Sequence, residues 1–269
     1  MAVFGSIFFK RTLKQFLDCD DLESTRGIAL IEKLRESSAD SLGLLLEAIP
    51  STQGMHRAML TEICLEHVGG NTEELFFKSL ESDATEIRTA AASILSQSSQ
   101  VNPARLLKKL HESDAPKTEI IGILEFQAPK LKPEQIISNA LKLERADAEQ
   151  LLKLVYKSEQ PLDLDALHIE PASISSPSMK IMLLRYLGDV DQSRVAQLIV
   201  RFLNDKNKTV ILEALKSLKG LNASFDLALL LPPFESMTDV SRQLALDIIE
   251  ARADADFVPK LAPLTCGKS

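Results

Sequence analysis

Aliphatic residues recur every 31 positions along this chain, and that recurrence limits what it can fold into more than any other feature. From Leu13 the step meets Leu44, Leu75, Leu106, Ile137, His168, Ile199, Leu230 and Leu261, so that only His168 is polar. Four residues further on, one helical turn away on the same face, it meets Leu17, Ala48, Ser79, Leu110, Leu141, Ala172, Leu203, Phe234 and Thr265, most of them apolar as well. Apolar spacings of three and four, scarce glycine and almost no strict alternation predict helix throughout. Each short first helix is followed by a polar turn and a second amphipathic stretch, such as HRAMLTEICL from His56 or VILEALKSLKG from Val210. The unit is a helical hairpin. A single hairpin cannot bury its own apolar face, so neighbours must stack and share a core. The expected fold is all-α, a right-handed α-solenoid of about eight hairpins with a period of about 31 residues, running as one domain through residues 1–269.

The second helices carry their own repeats. Arg26, Arg57 and Arg88 are 31 apart, as are Ala29, Leu60, Ala91 and Gly122, and the turn ESDA occurs at Glu81–Ala84 and again at Glu112–Ala115. A hairpin of this period with an Asp in the turn and an Arg early in the second helix, as in ESDATEIRTAAASIL, resembles the HEAT-like repeats, in particular the short bacterial type named after phycobilisome lyases. The resemblance implies a solenoid and leaves the task open, because such repeats serve many purposes. Glu119 and Gln150 stand where the family has its Arg, and after Lys153 the second-helix register slips by about one position, with Leu152 the core residue there.

Composition removes several function classes. The 269 residues are 45% apolar, ample for a core, but no apolar run nears the ~18 residues of a membrane span, and no signal-peptide cleavage site is present. A cytoplasmic protein without a transmembrane segment is expected. Cys19, Cys64 and Cys266 are odd in number and far apart, which fits neither a disulfide framework nor a clustered metal motif. A net charge of −7, no Trp and two Tyr disfavour nucleic acid as the ligand.

Several short motifs invite sharper readings. The C-terminal APLTCGKS fits a loose phosphate-binding loop, yet the repeat frame puts GKS in the turn of a ninth hairpin, without the preceding strand and following helix such a loop needs. The chain thus stops mid-repeat, as an excerpt of a longer protein would. Cys64 and His67 could supply two zinc ligands, but nothing supplies the others. His168, with Asp163 and Asp165 nearby, could be a base; a local slip that puts Leu167 into the core slot explains it better. MAVFGSIFFKRTLKQFL sets Phe4, Phe8, Phe9 and Phe16 beside Lys10, Arg11 and Lys14 like a membrane-surface helix, but Leu13 and Leu17 place it as the first helix of hairpin one. Asp21 and Asp83, five residues before Arg26 and Arg88, could hold those guanidinium groups in a structural ladder. The Pro- and Ser-rich stretch Lys157–Ser178 is the weakest helix of the array and a candidate flexible joint.

With no convergent acid, base, nucleophile or metal set, the sequence points to a non-enzymatic scaffold or regulatory solenoid that needs no cofactor. It would hold another protein on the concave face built by the second helices, through a surface including Arg57, Arg88, Lys180, Arg185, Lys208 and Lys216. The acidic balance favours a basic partner. The alternative implied by the resemblance is a phycobilin lyase-like protein that handles a tetrapyrrole. A HEAT-like DNA glycosylase is a third reading, disfavoured by the charge and the missing Trp.

Overall fold

The structure, a computed structural model, describes residues 2–36, 39–190, 194–222, 224–253 and 257, with the side chains of 2–6 and 39–40 outside that description. Every regular element among them is helical. The chain divides into two compact units, Met1–Ala128 and Pro129–Ser269. The first holds α1 (Ala2–Leu17), α2 (Thr25–Arg35), α3 (Ala39–Ala48), α4 (Gly54–Glu66), α5 (Glu73–Ser79), α6 (Thr85–Gln97), α7 (Pro103–Lys109) and α8 (Lys117–Gln127). The second holds α9 (Pro133–Ala140), α10 (Arg145–Leu152), α11 (Pro177–Gly188), α12 (Val195–Val200), α13 (Lys208–Gly220) and α14 (Asp239–Arg252).

Local chemistry sets the helix starts. Ser24, Asn102, Ser176, Asn207 and Thr238 each accept a backbone N–H of the following first turn through the side chain. Pro103, Pro133 and Pro177 occupy the first helical position, where a missing N–H costs nothing. Gly27 is needed for packing, since a Cβ there would lie 2.6 Å from the Leu22 backbone.

In the first unit α1 packs on α2, α3 on α4, α5 on α6 and α7 on α8, while α2, α4, α6 and α8 also lie side by side in that order. In the second unit α9 pairs with α10 and α12 with α13, and α10, α11, α13 and α14 form the corresponding row. The buried columns recur every 30 residues, one fewer than the sequence suggested. Leu34, Cys64, Ile94, Leu124, Leu154, Leu184 and Ala214 are all nearly inaccessible, as are Phe16, Leu46, Phe76, Leu106 and Ile136 in the first-helix positions. Adjacent residues explain the difference: Leu45 with Leu46, Phe76 with Phe77, Leu106 with Leu107 and Ile136 with Ile137 are buried in pairs, so steps of 30 and 31 both meet aliphatic or aromatic side chains. Leu44 and Leu75, in the 31-residue frame, are only half-buried, and Leu17 is 37% exposed.

A second repeat is written in polar groups. The last carbonyls of a helix have no partner inside it. Here a neighbouring second helix supplies one: His67 Nε2 donates to Arg35 O (2.7 Å), Gln127 Nε2 to Ser96 O (3.0 Å) and Ser98 O (3.1 Å), and Arg252 to Lys219 O and Leu221 O, while Ser217 Oγ donates to Leu184 O (2.8 Å) within the last two turns of α11. The first helices are tied at the other end. The Glu73 carboxylate at the start of α5 accepts the Asn102 N–H at the start of α7 (3.0 Å), and Glu134 at the start of α9 accepts the Asp163 N–H (3.2 Å). Both glutamates are buried, and Glu73 is also ion-paired with Arg105. A buried carboxylate so satisfied costs little, whereas one deprived of its donors would cost several kcal/mol.

The boundary between the units falls at Ala128 and Pro129, and the stretch 157–178, expected as a joint, lies inside the second unit. Leu162, Leu167, Ile169 and Ile174 in that stretch are buried. The side chain of Asp163 accepts the N–H groups of Asp165 (2.9 Å) and Ala166 (3.3 Å), so the expected first helix shrinks to one capped turn. Leu167 takes the core slot and His168 is exposed, as the slip required.

Candidate binding surfaces

The capped turn opens two clefts in the second unit. One, of about 310 Å³, is lined by Leu164, Leu167, Leu198, Gln197, Arg194 and Arg201. The other, of about 720 Å³, has Pro171, Ile174 and Pro177 along one wall, and Arg201 borders it too. Its polar floor is the ion pair of Lys180 Nζ with Asp205 Oδ2 at 2.5 Å, both side chains nearly buried. Arg201 Nη1 donates to Ile169 O (3.0 Å), which fixes it between the clefts. Arg194 holds Asp165 at 2.5 Å, and this guanidinium keeps the Asp165 carboxyl below the usual carboxylate range. The first unit has a cleft of about 480 Å³ of opposite character, bordered by Glu47, Glu81 and Asp83 with Lys78 the one cation.

The six surface residues expected to meet a partner are not equivalent. Lys180 is buried in its pair with Asp205, which corrects its assignment to an accessible surface: desolvation of a lone ammonium there would be prohibitive without the carboxylate. Arg88 is half-buried and structural, donating to Ser82 O (2.8 Å), Asp83 O (3.2 Å) and Glu119 Oε1 (3.2 Å). The ladder is therefore present at Arg88, but through the Asp83 main chain and through Glu119, 31 residues further on. It is not formed at Arg26, because the Asp21 carboxylate instead accepts the N–H groups of Glu23 and Ser24 in the turn before α2. Arg57 and Lys208 are exposed, and neither has an ion-pair partner among the described residues.

Arg185 and Lys216 are brought together. The Glu213 carboxylate lies 2.6 Å from Arg185 Nε and 3.7 Å from Lys216 Nζ, and the two cations remain more than half exposed. Its hydrogen bond and charge raise the Arg185 pKa further. Tyr156, half exposed, stands edge-on to the Tyr186 ring at 5.7 Å and hydrogen-bonds Met182 O at 3.5 Å. Burial pushes the Tyr186 phenol up to about 12, and the nearby Glu134 charge adds to the shift. No signal in the sequence pointed to the Arg201 clefts, because they depend on a first helix that does not form.

The remaining candidates are accounted for by packing. Cys64 is fully buried and its thiol is pushed up to about 12 by desolvation, so it is a poor nucleophile and a poor ligand. His67 is occupied by the Arg35 carbonyl. Among the described residues no three His, Cys, Asp or Glu side chains converge on a point that could hold a metal ion. No described helix is long and apolar enough to cross a membrane. Leu261, Cys266 and the GKS triplet lie outside the described residues, as does the side chain of Phe4.

Comparison with protein-family models, with curated proteins and with solved structures finds no match to this chain.

Proposed function

We propose that this chain is a right-handed α-solenoid of HEAT-like hairpins, a non-enzymatic scaffold of the cytoplasm that binds another protein along the face built by its second helices. The observation that carries this reading is the tie from four of the second helices, at the end of α4 and on α8, α13 and α14, to carbonyls of the one before. Side chains between the rungs are spent on holding the stack. The exposed cations Arg57, Arg185, Lys208 and Lys216 are spread over several second helices and are suited to a distributed interface, with Arg185 also reaching Glu213 on α13. Interfaces of this kind draw on several units, with a few residues carrying most of the energy.

The test is a titration of a captured and purified partner against charge-reversed variants. Arg57→Glu, Arg185→Glu, Lys208→Glu and Lys216→Glu are each expected to weaken binding by about two- to fivefold, the scale of an exposed ion pair, and to accumulate when combined. Lys180→Glu instead damages the fold, because it confronts Asp205 inside the unit. Four variants with unchanged affinity, or a purified chain whose turnover of a substrate vanishes in His168→Ala alone, would contradict the proposal.

A further inference from the structure

A surface independent of that interface lies on α1. Its core-facing residues, Phe9, Leu13 and Phe16, are buried against the rest of the first unit. At 100° per residue, Ile7, Arg11 and Lys14 fall on the opposite arc, with Phe8 on one flank and Lys10 on the other. Ile7 is 61% and Phe8 67% exposed, two large apolar side chains in water outside the core-facing stripe. The helix contains no acidic residue, whereas the chain as a whole carries a net charge of −7. Lys10, Arg11 and Lys14 are exposed and form no ion pair among the described residues. The sequence offered α1 as either a core helix or a membrane-surface helix, and the geometry satisfies both, since the two faces use different residues.

We infer that α1 docks the protein on an anionic lipid bilayer, with Ile7 and Phe8 entering the headgroup and acyl boundary and Lys10, Arg11 and Lys14 lying against the lipid charges. Charge complementarity selects this occupant: the cluster is cationic on an otherwise acidic chain, and apolar side chains flanked by cations on one helical arc are the arrangement that interfacial helices use. Nucleic acid would use the cations and leave Ile7 and Phe8 without a role. The attachment is peripheral and reversible, because two apolar side chains and three cations fall short of a permanent anchor.

The full chain has no Trp, so Phe8→Trp provides a single reporter at an exposed position. With vesicles of phosphatidylcholine containing phosphatidylglycerol, its emission is expected to shift to the blue and the wild-type chain to co-sediment; with phosphatidylcholine alone neither should happen. Each cation near an anionic surface contributes roughly a fivefold gain in partitioning, so Lys10→Gln/Arg11→Gln/Lys14→Gln is expected to lose on the order of a hundredfold, and raised salt to act in the same direction. Circular dichroism of the variant checks that the fold is intact, as these side chains do not touch the core. Four results would overturn the inference: no blue shift and no co-sedimentation at low salt, equal binding to neutral vesicles, binding undiminished in the triple variant, or a blue shift that grows with protein concentration without vesicles, which would make this face a contact between copies of the chain.

Discussion

The hairpin starts at Asn102 and at Asp163 begin alike and end differently. Each places a capping side chain on the next N–H groups, and each donates its own N–H to a buried glutamate of the preceding first helix, Glu73 or Glu134. After Asn102 come Pro103 and a run of good helix formers, and α7 follows. After Asp163 the chain makes a single turn at residues 164–166 and then leaves regular structure until the short turn at Pro171–Ser173. The anchoring bond and the cap therefore define the repeat, while the residues that follow decide whether a helix grows from it. Where none grows, the space becomes the paired clefts beside Arg201.

Breaking the core should separate the two cases most strongly. Leu106→Asp in α7 puts a charge into a fully buried site and is expected to cost several kcal/mol in denaturant unfolding, enough to unfold a marginal unit. Leu167→Asp sits beside the smaller cleft, where the carboxylate can reach water, and is expected to cost less; equal losses would mean that the capped turn is as closed as a helix. The anchoring bonds come next. Glu73→Ala and Glu134→Ala each strip a part-buried N–H of its charged acceptor, and both should lose about 1–3 kcal/mol by the same measurement. A neutral result for Glu134→Ala would separate the two hairpins and deny that Asp163 marks a repeat. The smallest difference is electrostatic. Among the described residues the lowered carboxylates belong to the second unit: Asp165 through Arg194, Glu149 through Ser178 and then Arg145, and Asp247 through Gln243 and then Lys219. A lowered folded pKa gives stability that is present above the unfolded value and is lost as pH falls through the folded one. The second unit should therefore weaken first below about pH 4, seen as earlier loss of its protected amides in acid.

Much of this architecture was legible in the sequence because burial leaves a period. Helix type, the hairpin unit and the slip at His168 all follow from apolar spacing. The step of 30 was hidden, since Phe76 and Phe77 or Leu106 and Leu107 are both buried and either frame meets them. The surface was read less well, for a physical reason: an exposed cation and an ion-paired one have the same letter. Lys180 and Lys208 both looked accessible, yet only the first has Asp205, 25 residues away, beside it. The clefts were illegible because they are made by a helix that fails to form.

The account rests on residues 162–176 being a packed repeat and not a linker, and hydrogen exchange read by mass spectrometry tests that directly. Leu167 N–H donates to Leu164 O, Ser173 N–H to Glu170 O and Ile174 N–H to Pro171 O, while Asp163, Asp165 and Ala166 donate to carboxylates. Peptides covering this stretch should exchange far more slowly than an unstructured chain and should open together with α11 and α13. Exchange at the unstructured rate, with α11 and α13 still protected, would show a loose joint at 157–178 and contradict the account.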